Sequence, residues 1–345
     1  MSDYGALDRF LHRLALQSRA VAEMSFDIDQ SMAGKPPEGL KTERHVFVAG
    51  LARAGTTALM RRFYASGAFR SLTYRDMPFV LAPNLWKRLS GMSRRRGSAA
   101  ERAHGDGVIV DFDSPESLDE VFWRQFAGDA YLHPGHLAAH EPDDELIDRF
   151  VSYIGAIIAS GDGPQRYLSK NNNNVLRLGA IRRAFPNALI LVPFRKPMTH
   201  AASLLRQHEQ FSEAQGQDAF MRKYMGWLAH HEFGLDQRPF AFDGAVPTSG
   251  RDPSSIDYWI EQWVRVYEAV VARAPEDAVF VCYEDLCADA GVWARLAKAA
   301  GIDGEAGEAF RPASPSTSSD GADGALLAEA DALYERLRLR SSAAA

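Results

Sequence analysis

The sequence predicts an α/β protein in which a central parallel sheet is flanked by helices on both faces, as a three-layer sandwich. The prediction depends on three β-rich runs, at 45–50, 188–194 and 278–285, each of which is short, apolar and adjacent to a helical pattern. Strands that alternate with helices form parallel sheets, and both faces of such a sheet are covered.

The elements around these runs follow the same pattern. The first run, HVFVAG, is followed by a turn and by TTALMRRFYASG, whose apolar residues repeat at helical spacing. Gly67 stands where the C-terminus of that helix is expected. The second run leads into a helix with Pro197 near its first turn, a position that proline favours. A helix over 256–274 precedes the third run.

The chain divides into an extension and one large domain. Over 1–40 we expect a helix with a Pro- and Gly-containing connector, and over 41–345 the α/β domain. Polar, weakly periodic stretches predict mobile loops near 87–107 and 241–255. A last short helix is expected over 325–339, after a low-complexity linker.

Composition disfavours several classes of protein. The 345 residues are 46% apolar, which is enough for a large core, and the formal net charge of −6 argues against a nucleic-acid or anionic-membrane partner. A run of about 18 apolar residues, as a membrane span needs, is not found. The N-terminus lacks the apolar region of a secretory signal. Cys282 and Cys287 do not form a disulfide framework, so we expect reduced thiols and a cytoplasmic protein.

The strongest functional signal is the segment 50–57, GLARAGTT, between the first predicted strand and its helix. Free N–H groups and the positive end of the helix dipole suit a phosphate or sulfate there. Gly55 permits close approach of the backbone, and Thr56 and Thr57 add hydroxyl donors. The nucleoside triphosphatase loop G-x-x-x-x-G-K-[ST] has a Lys that this segment lacks, whereas Arg53 lies inside the loop. The predicted sandwich is therefore P-loop-like, with a cation suited to one 5′-phosphate and its attached group.

The segment 52–57, ARAGTT, resembles the 5′-phosphosulfate loop of the sulfotransferase superfamily, P-[KR]-[SA]-G-T-T, with Ala52 in place of Pro. Its Arg variant is similar to the tyrosylprotein and carbohydrate branches. The resemblance implies that the donor is 3′-phosphoadenosine 5′-phosphosulfate (PAPS) and that no metal is required. The residues that it assigns to the 5′ end of the donor are Arg53, Ala54, Gly55, Thr56 and Thr57.

Two further matches extend the resemblance. The family has a 3′-phosphate site in which a strand ends in Arg and a Ser follows eight positions later; here these are Arg195 and Ser203. The guanidinium offers a bidentate fork to a phosphate. The run VCYEDL at 281–286 is similar to a strand end of the family, which implies that Tyr283 packs near the adenine.

The resemblance also implies the catalytic groups. Arg53 and Lys170, the latter at the end of QRYLSK, are the expected cations. Related enzymes have a Glu about 20–23 positions after the loop cation, and Asp76, 23 positions after Arg53, is the carboxylate in that window. Asp76 is therefore predicted as the general base. Pairing with its neighbouring arginine or capping of a helix stays open for Asp76, and His104 and His208 are rival bases.

The acceptor is expected to be a hydroxyl or amine of a glycan, lipid or small molecule. Two alternatives remain: a P-loop kinase-like phosphotransferase, which the missing Lys disfavours, and a non-catalytic nucleotide-binding protein. The arginines at 94–96 suit closure over the donor, an anionic acceptor or plain solvation. His136 and His140 have i,i+4 spacing but lack the His-Glu-x-x-His order of a metal site, so a structural role is expected.

Overall fold

A computed structural model describes residues 6–90, 100–101, 109–110, 116, 118–163, 165–244, 250–304, 309–312 and 321–343. The α-helices are α1 Ala6–His12, α2 Arg19–Ala33, α3 Thr56–Ala65, α4 Pro83–Ser90, α5 Glu120–Tyr131, α6 Asp144–Ala159, α7 Leu178–Ala184, α8 Pro197–Gln217, α9 Ala219–Trp227, α10 Ile256–Arg273, α11 Tyr283–Ala288, α12 Ala290–Ala300 and α13 Gly324–Ala343. The strands are β1 Val46–Val48, β2 Phe69–Arg70, β3 Ala100–Glu101, β4 Ile109–Val110, β5 Leu132–His133, β6 His136–Ala138, β7 Arg166–Lys170, β8 Leu189–Phe194, β9 Phe240–Ala241 and β10 Val279–Cys282. A π-helical turn, Arg13–Gln17, and the 3₁₀ helices Leu40–Thr42, Tyr74–Asp76 and Asn172–Leu176 complete the described elements.

The central sheet has five strands in the order β10-β8-β1-β7-β2, and every pairing in it is parallel. Strand β1 lies in the middle, with Val48 opposite Lys170 of β7 on one side and Leu191 of β8 on the other. All five carboxyl ends therefore meet at one edge of the sheet. The three predicted strands are confirmed, and β2 and β7 extend the sheet beyond them.

Successive side chains of the strands point to opposite faces of the sheet and pack in two separate hydrophobic cores. Val46 and Val48 pack with Phe63 of α3 and Trp293 of α12, whereas Phe47 belongs to the larger core built by α6, α7, α8, α10 and α13. This alternation follows from the two-residue period of a strand. The predicted three-layer α/β sandwich is confirmed, with helices on both faces of the parallel sheet.

The N-terminal segment folds as helices α1 and α2 joined by the π-helical turn, and α2 is fixed against α4. The Asp29 side chain of α2 is fully buried and accepts hydrogen bonds from the Leu85 backbone N–H (2.7 Å) and the Asn84 amide (3.0 Å). Burial raises the pKa of this carboxyl. A buried acceptor with such partners ties the extension firmly to the domain.

Several predicted boundaries differ from those observed. Strand β10 ends at Cys282, so Tyr283 begins α11 rather than continuing the strand, and α13 is longer than the predicted 325–339 helix. The predicted loop at 87–107 begins inside a helix, because 87–90 form the last turn of α4, and much of the rest of it lies outside the described residues. In the predicted loop at 241–255, residues 245–249 also lie outside the described residues. Among the described helices, none has the length and apolar character needed to cross a membrane.

Candidate active site

The loop between β1 and α3 turns sharply because two of its residues adopt left-handed backbone conformations. Arg53 has φ 69° and Gly55 has φ 90°, and the Ala54 N–H donates to the Leu51 carbonyl (3.3 Å). Left-handed residues in such a turn point successive N–H groups to one side, which makes a concavity for an anion. Thr56 starts α3, whose dipole favours negative charge at this end. The left-handed turn and the helix start are compatible with the oxyanion site that the sequence predicts here.

Gly55 lies in direct contact with the ring of Tyr283. A Cβ at this position would come within 3.0 Å of two ring carbons, Cδ2 and Cε2, so no other residue fits without displacing the ring. The Tyr283 hydroxyl donates to the Arg311 carbonyl (3.0 Å), and the Arg195 guanidinium carbon lies 5.4 Å from the ring centroid. The loop, the ring and Arg195 therefore form one contiguous surface.

Arg195 and Ser203 both reach the loop. An Nη1–H of Arg195 donates to the Arg53 carbonyl (2.8 Å), and Nε–H of Arg53 donates to Oγ of Ser203 (3.2 Å). Arg195 Nε is buried and has no hydrogen-bond partner among the described residues. Burial lowers the pKa of Arg195, yet an arginine keeps its charge, so a buried cation faces the loop. Such a group suits an anion, and this observation fits a phosphate-bearing donor.

A histidine absent from the sequence predictions supports the loop from below. Nε2 of His200, fully buried on α8, lies 2.7 Å from the Ala52 carbonyl and must donate to it, since a carbonyl only accepts. Burial lowers the pKa of His200 to about 3, so the ring is neutral. The sequence signal was slight: His200 precedes Ser203 by three positions and shares its helix face.

On the other side of the loop, Lys170 ends β7 and faces Glu116. Nζ of Lys170 lies 3.9 Å from Oε1 of Glu116, and the two side chains are 10% and 11% exposed. The Tyr74 hydroxyl donates to Oε2 of Glu116 (3.2 Å), and the Glu116 backbone N–H donates to the Leu72 carbonyl (3.1 Å). Glu116 was not predicted, because it lies 63 positions after Arg53 in a polar stretch without strand or helix periodicity.

Asp76, the predicted base, has three local donors. Its carboxylate accepts from the Thr73 N–H (2.7 Å), from Thr73 Oγ1 (3.1 Å) and from Arg70 (2.7 Å). With Thr73 it forms the reciprocal capping box of the 3₁₀ helix. Asp76 therefore makes the helix-capping contacts of the alternative left open above. The ion-pair partner of Asp76 is Arg70 rather than the neighbouring Arg75.

A second polar pair lies beside Lys170. Burial acts to lower the pKa of His230, but Glu232, 3.6 Å away, raises it above the usual value, and Glu116 and Lys170 also act on this ring. Burial acts to raise the pKa of Glu232, yet His230 brings it to about 2. Ala229 just before them has φ 55°, a strained conformation for a residue with a Cβ. His230 and Glu232 were not predicted.

The end of β7 is anchored by a buried polar network. The Asn171 amide donates to Asp119 (3.2 Å) and Glu120 (2.7 Å), and Arg177 forms a bidentate pair with Glu120 (2.6 and 3.0 Å). Burial raises the pKa of Asp119. Burial acts to raise the pKa of Glu120 too, but Arg177 brings it below its usual value. Satisfied buried networks rigidify their surroundings, so this one fixes the position of Lys170.

Other candidate histidines lie elsewhere. His208 accepts from the Gly234 N–H (3.2 Å) and packs near Trp259, and burial lowers its pKa. His136 faces His133 across a hairpin, and His140 stacks on Tyr131. His104 and the arginines at 94–96 lie outside the described residues. Within the described ranges, no group of three or more His, Cys, Asp or Glu residues could hold a metal ion.

The site follows the strand order along one edge of the sheet. Tyr283 follows β10, Arg195 follows β8, the 50–57 loop follows β1, Lys170 ends β7, and Glu116 lies against the chain just beyond β2. Neighbouring strands are about 4.8 Å apart, so these groups form a row of roughly 19 Å. The residues predicted from distant parts of the sequence thus lie along one edge of the sheet.

The sequence profile of the sulfotransferase family matches residues 45–241, which is more than half of the chain. The chain therefore belongs to the sulfotransferase family. No curated protein sequence matches it significantly.

Solved structures with similar folds include two mycobacterial sulfotransferases. STF1 from Mycobacterium tuberculosis H37Rv is 18% identical, with a TM-score of 0.45, over 98% of this chain and 86% of that one. STF9 from Mycobacterium avium is 16% identical, also with a TM-score of 0.45, over 94% and 75%. A sulfotransferase domain from the curacin biosynthetic pathway is 10% identical, with a TM-score of 0.38, over 86% and 98%.

Proposed function

We propose that this protein is an enzyme that transfers a sulfuryl group from PAPS to a hydroxyl or amine of a glycan, lipid or small-molecule acceptor, in the cytoplasm and without a metal. The observation that carries the proposal is the junction of Arg53, Arg195 and Ser203, linked by hydrogen bonds of 2.8 and 3.2 Å. Two anion-binding groups that touch each other suit one ligand with two anionic ends.

The donor would lie along the strand row. We assign the adenine to Tyr283, the 3′-phosphate to Arg195 and Ser203, and the 5′-phosphosulfate to Arg53, Ala54, Gly55, Thr56 and Thr57. An aromatic ring provides a stacking surface, and an arginine fork matches a phosphate. The unpartnered, buried Nε of Arg195 supports this assignment, because a buried donor without an acceptor is costly.

When bound, the donor supplies an activated sulfuryl group, and the residues of the chain orient it and balance its charge. We propose that Arg53 and Lys170 stabilise negative charge that develops on the transferring and leaving oxygens, as fixed cations do in phosphoryl transfer. Lys170 suits this role because β7 places it beside Val48, at the start of the loop. Asp76 remains the sequence-based prediction for the base that takes the proton of the acceptor.

Calorimetry with 3′,5′-bisphosphoadenosine and with ATP tests the proposal. Bisphosphate binding that needs no magnesium and exceeds ATP binding supports it. Preference for ATP with magnesium would instead indicate the kinase-like alternative. Bisphosphate binding without turnover of PAPS, across acceptor glycans, lipids, phenols and amines, would indicate the non-catalytic alternative.

Arg195→Ala makes the test specific to the site. Removal of one partner of a buried charge-assisted contact costs about 2–5 kcal/mol, so the bisphosphate Kd should rise at least about 30-fold. The matched control is Arg336→Ala, because the Arg336 side chain is 65% exposed and pairs with Glu268 on the surface. Equal Kd values for the two variants would refute the assignment of Arg195.

A further inference from the structure

We propose that His200 and Arg195 together hold the loop backbone around Arg53 in the conformation that receives the 5′ end of the donor, which makes His200 a positioning residue for a ligand that it does not touch. The inference rests on the function proposed above. Its starting point is a pair of adjacent carbonyls. Nε2–H of His200 donates to the carbonyl of Ala52 (2.7 Å), and an Nη1–H of Arg195 donates to that of Arg53 (2.8 Å). Both donors come from the junction of β8 and α8, five positions apart in the chain.

These two hydrogen bonds set the planes of two successive peptides in the loop. The N–H of a trans peptide points opposite to its carbonyl, so a fixed carbonyl also fixes the direction of the next N–H group. Arg53, between the two peptides, has φ 69°, a conformation that is costly for a residue with a Cβ. Such a residue keeps its conformation only where its surroundings determine it, and these cases cluster at ligand sites. His200 and Arg195 provide that constraint here.

The contact with the loop explains His200 better than packing does. The ring is fully buried, and Nδ1 has no hydrogen-bond partner among the described residues. A buried polar atom without a partner is unfavourable, and an apolar side chain would avoid that cost. Burial, and to a smaller extent the charge of Arg195, lowers the pKa of His200 to about 3, so the neutral ring has one N–H. That single donor goes to the Ala52 carbonyl, directly before Arg53.

Arg195 links the two ends of the donor site. In the proposed function its guanidinium faces the 3′-phosphate, while the same group holds the Arg53 carbonyl of the 5′ loop. A ligand with a 5′-phosphate alone should therefore depend on both His200 and Arg195. A ligand with a 3′-phosphate alone should depend on Arg195 and be insensitive to His200.

Calorimetry with adenosine 5′-phosphate, adenosine 3′-phosphate and 3′,5′-bisphosphoadenosine tests this pattern without turnover. His200→Leu removes the N–H, so the Kd values for the 5′-phosphate and the bisphosphate should rise about tenfold, and that for the 3′-phosphate should stay within about twofold. His200→Gln has an amide that can donate to the same carbonyl, and it should bind the 5′-phosphate within about threefold of wild type. Arg195→Ala should raise all three Kd values. Adenosine, which has no phosphate, corrects for any change in the contact of Tyr283 with the base.

His45→Leu is the matched control, because His45 is also a buried histidine with a neutral ring. Its partners are the Leu40 carbonyl and the Tyr167 N–H, and it precedes β1, whereas the loop follows that strand. This variant should lose stability in urea denaturation and keep the wild-type ratio of the Kd values for the 5′- and 3′-phosphates. A purely structural role of His200 would give His200→Leu the same unchanged ratio.

The outcomes separate the two proposals. If the wild-type chain does not bind the bisphosphate, the proposed function fails and this inference with it. If it does bind, equal weakening of both monophosphates in His200→Leu, unchanged Kd values in it, or a His200→Gln that binds no better would overturn the positioning role and leave the proposed function standing. Should His200→Leu fail to fold, Arg195→Ala decides, because an unchanged Kd for the 5′-phosphate would show that Arg195 does not hold the loop.

Discussion

The contact between Gly55 and Tyr283 allows a sharp test of the loop. Gly55→Ala introduces a Cβ into a residue with φ 90°, and this Cβ would lie within 3.0 Å of two ring carbons. Left-handed backbone costs a residue with a Cβ about 1–2 kcal/mol. The ring must also move, with loss of its hydrogen bond to Arg311 and its contact with Arg195, each worth about 1 kcal/mol.

These terms place the total cost at about 3–4 kcal/mol if the loop keeps its shape. The alternative is that the loop leaves the left-handed conformation and the anion concavity is lost. If this cost falls on binding, the Kd for 3′,5′-bisphosphoadenosine should rise roughly 100- to 1,000-fold, since about 1.4 kcal/mol corresponds to tenfold. Calorimetry measures the Kd, and urea denaturation measures the change in stability.

Gly67→Ala is the matched control. Gly67 has φ 71°, but a Cβ there would meet nothing within 4 Å, so this variant carries backbone strain alone. It should lose about 1–2 kcal/mol of stability and bind the bisphosphate normally. The reasoning is refuted if Gly55→Ala binds within about twofold of wild type, or if Gly67→Ala loses as much affinity.

Two further predictions concern stability. Nε2 of His45 donates to the Leu40 carbonyl and Nδ1 accepts from the Tyr167 N–H (both 2.8 Å), so the buried ring is neutral, and burial lowers its pKa from 6.5 to about 4. The contribution of His45 to the free energy of unfolding is complete above pH 6.5 and falls as the pH drops toward 4. Urea denaturation should therefore show a loss of about 2 kcal/mol in the free energy of unfolding between pH 8 and pH 5, and His45→Gln should reduce this loss. Arg177→Met leaves Glu120 buried without its ion-pair partner, so it should lower the free energy of unfolding by about 3–5 kcal/mol in the same assay. The double variant Arg177→Met/Glu120→Leu should recover a large part of that stability. Losses in the two single variants that simply add in the double variant would contradict this coupling.

The parts of the site that follow strands could be predicted from sequence. Once β1, β8 and β10 are recognised from their apolar runs, a parallel sheet brings their carboxyl ends to one edge. Arg53, Arg195 and Tyr283 therefore meet although they are far apart in the chain. Strand β2 was not predicted, because a two-residue strand has no readable alternation.

The parts held by buried charge could not be predicted in the same way. Glu116, Asp119 and Glu120 stand in a polar stretch, and acidic residues are almost never fully buried unless paired. Their partners come from distant segments, such as Tyr167 and Arg177, which single-sequence periodicity does not connect to them. Asp76 differs, because Thr73 three residues before it forms the local capping pattern that the sequence already contains.

The order of the strands predicts whether loss of a residue should change the Kd for the bisphosphate or the rate of turnover. If the donor binds as proposed, groups over β10 and β8 contact only the part of the ligand that product and donor share, so their loss should raise the Kd for the bisphosphate. Arg53, over β1, contacts both that part and the transferring group, so its loss should raise the Kd and lower turnover. In the same mode of binding, groups over β7 and β2 lie toward the transferring sulfuryl group, so their loss should lower turnover. Lys170 lies at the boundary and should affect both. A variant on the β8 side that lowered turnover alone, or one on the β2 side that abolished nucleotide binding, would break this correspondence between strand position and function.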